Sequence, residues 1–164
     1  MSSFAKVLFH QPVRFYVFPR SHNYVAPFIP SASVPLYTSD NIPKLPMILI
    51  ADDSPRMRET IKMMLADAGP DFIECADGAE VLALYRKHKP DWVLMDIRMG
   101  AMDGIAATRE VTSAFPNARV IIVTNYNDPT LRAEAQEAGA VGYVLKDDLS
   151  PLLDFIHHSP EVQP

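Results

Sequence analysis

The sequence predicts an α/β protein: a doubly wound, five-stranded parallel sheet with helices on both faces. Three observations carry that prediction. First, four short apolar runs end in reactive polar residues: residues 47–51 before Asp52 and Asp53, 92–95 before Asp96, 120–123 before Thr124, and 142–145 before Lys146. Continuous apolar runs of this length suit strands buried on both faces, as parallel strands are. Second, segments with helical spacing of apolar residues lie between the runs. Third, this βα alternation occurs five times, and right-handed crossovers then leave only a few doubly wound topologies.

Each element has its own local signal. The first strand is 48–51. Ser54 is a helix N-cap and Pro55 occupies the first helical position. Met57, Ile61, Met64, Leu65 and Ala68 then share one helical face, and Gly69 is a natural stop. The second strand is 72–75. Asp77 and Glu80 form a capping-box-like start for a helix that ends near Lys89, before Pro90. The third strand is 92–95. A loop through Met99, Gly100 and Ala101 leads to a helix that starts near Asp103 and Gly104 and ends near Ala114. The fourth strand is 120–123. Asp128 and Pro129 open the next helix, which Gly139 closes. The fifth strand is 142–145. Ser150 and Pro151 open a short last helix, which Ser159 and Pro160 end. The flavodoxin-like strand order 2-1-3-4-5 is among the allowed topologies.

Composition narrows the function. The 164 residues, 48% hydrophobic and 21% charged, fit one soluble domain with some chain to spare. No apolar run approaches the roughly 20 residues that span a bilayer, so no membrane partner is expected. The single cysteine, Cys75, has no partner for an internal disulfide, which suits a reducing, cytoplasmic setting. The net charge of −5 divides unevenly: residues 1–46 carry +3, and the remainder −8. A part that acidic is a poor holder of phosphate backbone, so direct DNA binding is not expected.

Residues 1–46 differ from the rest. They hold seven of the 15 prolines and eight of the chain's aromatics, but no glycine. Prolines at that density defeat helical and strand periodicity, so the segment reads as a disordered leader. A targeting peptide, a dispensable tail and a start upstream of the natural one at Met47 are the explanations to weigh. The expected organisation is a leader over 1–46, a domain over 47–158 and a short tail over 159–164.

In a parallel sheet the carboxyl ends of the strands share one edge, where ligands bind. Asp52, Asp53, Asp96, Thr124 and Lys146 should therefore converge. Three carboxylates in one pocket repel one another unless a cation or a shared proton intervenes. An all-oxygen site suits Mg²⁺. An Asp carboxylate beside such an ion can attack a phosphoryl group and form an acyl phosphate. Thr124 offers a hydroxyl, and Lys146 a positive charge, to the transferred group. Taken singly, each residue has a plainer reading as a cap, a first-turn acid or a strand residue, but four such features fall on the same edge.

These motifs, Ile48-Leu49-Ile50-Ala51-Asp52-Asp53-Ser54, Met95 to Gly104, Ile121-Ile122-Val123-Thr124 and Gly142 to Lys146, resemble those of the receiver domain of bacterial two-component response regulators, the CheY-like fold. The segments 123–126 and 143–147 look most like receivers of LuxR-type regulators. The resemblance implies that Asp96 accepts phosphate from a histidine kinase or phosphotransfer protein. It implies that Asp52, Asp53, Asp96 and the Arg98 backbone carbonyl hold Mg²⁺ (or Mn²⁺). Thr124 and Lys146 would then contact the phosphoryl group, and Tyr143 would change rotamer together with Thr124. Output would pass to another protein, or to a second copy, through the fourth helix, fifth strand and fifth helix.

The chain departs from the family at four places. Gly100 replaces a usual proline, so a looser loop is expected there. Asn125 replaces a small residue and could crowd the phosphate. Asp147 replaces a proline, so a trans peptide bond is expected before it. The sequence stops soon after the fifth helix, where LuxR-type regulators continue into a helix-turn-helix domain, and a stand-alone receiver is therefore expected. Two other readings compete with the receiver. A phosphatase of the haloacid dehalogenase type needs a second acid two residues after its nucleophile, where this chain has Arg98. A degenerate receiver serving only as a binding module would ordinarily lack Asp96, Lys146 or the acid pair.

Because residues 1–46 present no periodic apolar face, deleting them is expected to leave the unfolding midpoint nearly unchanged. A loss above about 1 kcal/mol, a sizeable part of a domain's margin, would contradict this.

Overall fold

The computed structural model describes residues 45–66 and 69–157. Most of the leader, Ala68 of the first helix, the Ser159-Pro160 stop and the tail lie outside the described residues. The elements run β1 (Met47–Ala51), α1 (Pro55–Leu65), β2 (Asp71–Cys75), α2 (Gly78–His88), β3 (Trp92–Met95), α3 (Gly104–Ala114), β4 (Val120–Thr124), α4 (Pro129–Glu137), β5 (Gly142–Leu145) and α5 (Pro151–His157). All strand pairs are parallel, in the order β2-β1-β3-β4-β5. This is the doubly wound order that the sequence allowed. No helix among the described residues is long and apolar enough to cross a membrane.

The helix starts follow the capping signals. Ser54, Asp77, Asp103 and Asp128 are N-caps, and each side chain accepts from a backbone N–H of the first turn. One end departs from the usual pattern. α2 closes on Lys89 in the left-handed conformation, with φ 51°, where glycine is the commoner choice. The following Pro90 would clash with a helical residue before it, so the helix has to end there.

Alternation along the strands sorts the core into two layers. Leu49, Ala51, Val93, Met95, Val120 and Ile122 pack on the side of α2, α3 and α4. Ile48, Ile50, Leu94, Ile121, Val123 and Val144 pack with α1 and α5. Burial on both faces is what produced the unbroken apolar runs in the sequence.

The register sets the functional edge. Ala51 lies opposite both Cys75 and Met95, and Thr124 opposite Leu145. The ladder continues one step beyond the strands: Asp96 N donates to Ala51 O at 2.8 Å and Lys146 N to Thr124 O at 2.8 Å. Asp52, Asp96 and Lys146 thus leave the sheet at the same edge, Asp52 and Asp96 from neighbouring strands.

Gly104, the first residue of α3, lies directly beneath this edge. A Cβ on it would overlap the Asp96 carbonyl oxygen and come within 2.8 Å of the carbonyl carbon. Backbone has little room to yield. Gly104→Ala is expected to cost at least about 2 kcal/mol of stability, at the upper end of ordinary overpacking. A denaturant midpoint equal to that of the parent chain would contradict the close approach.

Candidate functional site

The site is built from four strand ends. β1 delivers Asp52, which is 1% exposed, followed by the exposed Asp53. β3 delivers Asp96, 5% exposed. β4 ends on the buried Thr124, and Lys146 directly follows β5. Carboxylate oxygens of Asp52, Asp53 and Asp96 lie within 4.8 Å of one another. Lys146 Nζ sits 2.8 Å from Asp52 Oδ2 and 2.9 Å from Asp96 Oδ2.

Other groups fix these side chains. Asp52 Oδ1 accepts from Ser54 N at 2.8 Å, and Asp96 Oδ1 from Ile97 N at 2.8 Å. Arg58 of α1 donates from Nη1 to the Asp52 carbonyl at 2.6 Å and from Nε to Glu74 of β2 at 2.8 Å. The Thr124 hydroxyl accepts from Tyr126 N at 3.4 Å. Arg98 is exposed, between buried Ile97 and Met99, on the loop that leaves Asp96.

The electrostatics are those of a crowded acid pocket. Burial pushes the Asp96 carboxyl above its ordinary range, and the hydrogen bond from Lys146 only partly offsets this. Burial also opposes the charge on Lys146, but the hydrogen bonds and charges of Asp52 and Asp96 outweigh it and raise its pKa. Three ionised carboxylates around one ammonium leave net negative charge. Asp52 Oδ2 is fully buried and, apart from the Lys146 ion pair, finds no aligned hydrogen-bond donor. A hard divalent cation suits this donor set: it takes carboxylate oxygens and supplies the missing charge.

Residues 48–157 match the family model of the response regulator receiver domain. The chain belongs to that family. It is 38% identical over 113 residues to the transcriptional regulatory protein YxjL of Bacillus subtilis, covering 66% of this chain and 51% of YxjL. The chain spans about half the length of that relative. Its structure is similar to a LuxR-family two-component response regulator from Aurantimonas, at a TM-score of 0.65 and 33% identity, covering 70% of this chain and 84% of that one. It is also similar to a CheX–CheY–BeF3–Mg complex from Borrelia burgdorferi, at a TM-score of 0.64 and 29% identity, covering 70% and 87%.

Several features of the receiver's site had no signal in the linear sequence. Arg58 looked like any charged helix residue, yet it ties α1 to the end of β1. Arg132 places its guanidinium 4.3 Å from the centre of the Tyr143 ring, while Tyr143 OH donates to the Tyr126 carbonyl at 2.7 Å. Asp77 reads as an N-cap, but its carboxylate also accepts from Ala101 N and Met102 N on the loop beyond Asp96. That loop carries Gly100 and is nonetheless tied down. Among the described residues there is no cis peptide bond, in keeping with Asp147 after Lys146.

The raised Asp96 gives a pH prediction for the metal-free chain. A carboxyl whose folded pKa is raised favours folding below its unfolded value of about 3.9. That contribution is lost as pH rises through the higher folded value. At neutral pH the ionised Asp96 therefore costs stability. In chelator, Asp96→Asn is expected to raise the unfolding midpoint at pH 7, and the gain should vanish by about pH 3. A variant no more stable than the parent at pH 7 would contradict the burial penalty on the Asp96 charge.

Proposed function

We propose that this receiver is phosphorylated on Asp96 by a histidine kinase or phosphotransfer protein, and that it signals through phosphorylation-dependent protein contacts. The observation that carries this reading is the meeting of three carboxylates within 4.8 Å, with Lys146 paired to Asp96. Mg²⁺ (or Mn²⁺) would be held by Asp52, Asp53, Asp96 and the Arg98 backbone carbonyl, where it neutralises the acids and the incoming phosphoryl oxygens. An Asp96 oxygen attacks the phosphorus of the donor. A phosphorus–oxygen bond forms as the donor's phosphorus–nitrogen bond breaks, and the leaving imidazole takes up a proton. Lys146 stays with the new acyl phosphate as its cation, and Thr124 donates its hydroxyl to a phosphoryl oxygen. The BeF3 and Mg named for the Borrelia complex support the same chemistry here. The domain is regulatory, its only chemistry being its own phosphorylation and hydrolysis, and its setting is the cytoplasm.

Output follows from the same edge. Thr124 Oγ1 is engaged by Tyr126 N, and Tyr126 O by Tyr143 OH. Drawing Thr124 toward a phosphoryl group breaks into this chain and alters the surface of α4, β5 and α5, a two-state element biased by a local charge. A second copy, or an output protein, reads that surface.

Two measurements test the proposal. Acetyl phosphate with Mg²⁺ is expected to add one phosphate to the wild-type chain by mass spectrometry, and none to Asp96→Asn or to a sample with chelator. Labelling of either would sink the assignment. Beryllofluoride is expected to move amide resonances on α4 and β5, and Thr124→Ala should blunt that movement. Unmoved resonances with the mimic bound would remove the output switch.

A further inference from the structure

The loop between Asp96 and α3 carries the proposed Arg98 carbonyl ligand, and something has to hold that carbonyl in place. We propose that Asp77, at the start of α2, is a positioning residue of the metal centre that clamps this loop. The inference rests on the metal reading given above.

Asp77 Oδ2 accepts from Ala101 N at 2.8 Å, and Oδ1 from Met102 N at 3.2 Å. The same Oδ1 accepts from Ala79 N at 3.0 Å as the cap of α2. One carboxylate therefore joins the loop to a helix start 24 residues earlier. The three backbone donors, Ala101 first, hold the Asp77 carboxyl below its ordinary range, so it is ionised and accepting at neutral pH. The loop's other tie is Gly104 N to Ile97 O at 2.9 Å. Arg98 lies between these two fastenings, flanked by buried Ile97 and Met99.

Gly100 is shaped to this clamp. A Cβ there would come within 2.6 Å of Asp77 Oδ2. Its φ is not among the positive values, so a side chain there would meet the Asp77 carboxylate, which would have to shift, and not a strained backbone. Gly78 makes the matching approach from the helix side, where a Cβ would meet the Met102 carbonyl at 2.6 Å. The loop is held from outside by a carboxylate, and the residue facing that carboxylate has no side chain.

The test separates the clamp from the cap. Ser at position 77 still caps α2, but its single short hydroxyl falls short of Ala101. Mg²⁺ alone is titrated calorimetrically into the metal-free full chain, and unfolding midpoints are read in chelator. Groups that hold a metal ligand in place typically tune affinity by tenfold or more, so Asp77→Ser is expected to weaken Mg²⁺ binding by about tenfold. Gly100→Ala, which presses on the Asp77 carboxylate from the loop side, should weaken binding in the same direction. If Asp77→Ser binds Mg²⁺ within about twofold of wild type while Asp52→Asn loses it, the clamp is wrong and the metal site stands. If the folded wild type takes up no Mg²⁺, the metal reading falls, and the clamp with it.

Discussion

Asp52 and Asp96 emerge from neighbouring strands, both buried, and both lean on the single ammonium of Lys146. That three-way pairing is the constraint on which the rest of the structure depends. A lone buried carboxylate would cost several kcal/mol or become protonated. Two of them, with Asp53 alongside, persist because the lysine and backbone N–H groups stand in for water. The compensation is incomplete, as the raised Asp96 and the unmatched Asp52 oxygen both show. A fold that keeps such a pocket gives up stability for an arrangement whose donors suit a divalent cation.

Sheet register is what makes this pairing possible. β1 lies between β2 and β3, so its end is central, and the residue after Ala51 has neighbours on both sides. A slip of one residue would turn Asp96 to the other face and put an apolar side chain in the pocket. The two core layers prevent the slip. Met95 and Leu94 are fully buried on opposite faces, so neither could exchange places without loss of packing. The helices then act at short range. Gly104 lets α3 start against the Asp96 backbone, and Arg58 lets α1 hold the Asp52 carbonyl.

The strands and helix starts were legible in the sequence because their signals are local. Burial on both faces writes an unbroken apolar run, and Ser54, Asp77, Asp103 and Asp128 write caps. The convergence of Asp52, Asp53, Asp96, Thr124 and Lys146 was legible too, since parallel strands place all their carboxyl ends on one edge. What stayed hidden was any contact made between distant segments by a residue that already had a sufficient local reason. Asp77 needs no loop to explain it, nor Arg58 a carbonyl. The tie on the Gly100 loop stayed hidden for the same reason: glycine's freedom is intrinsic, whereas the contact on its neighbours comes from a carboxylate far away in sequence.

The proposed site reaches its output surface through a short run of hydrogen bonds. Lys146 N bonds the Thr124 carbonyl, while Thr124 Oγ1, Tyr126 and Tyr143 form one hydrogen-bonded chain. Arg98, next to the acids, lies 5.5 Å from the Tyr126 ring. Arg132 of α4 covers Tyr143 from the other side. In the proposed mechanism, a phosphoryl group on Asp96 would add negative charge where Lys146 already serves two acids, and so would compete with Asp52 for the lysine. It also offers Thr124 a charged acceptor in place of a weak 3.4 Å contact. Both changes act on the ends of β4 and β5 and not on the buried strands behind them. Under the proposed switch the response would start at the Tyr126 loop and the Tyr143 ring and spread over the surface of α4, β5 and α5, while the core that sets the register stays as it is.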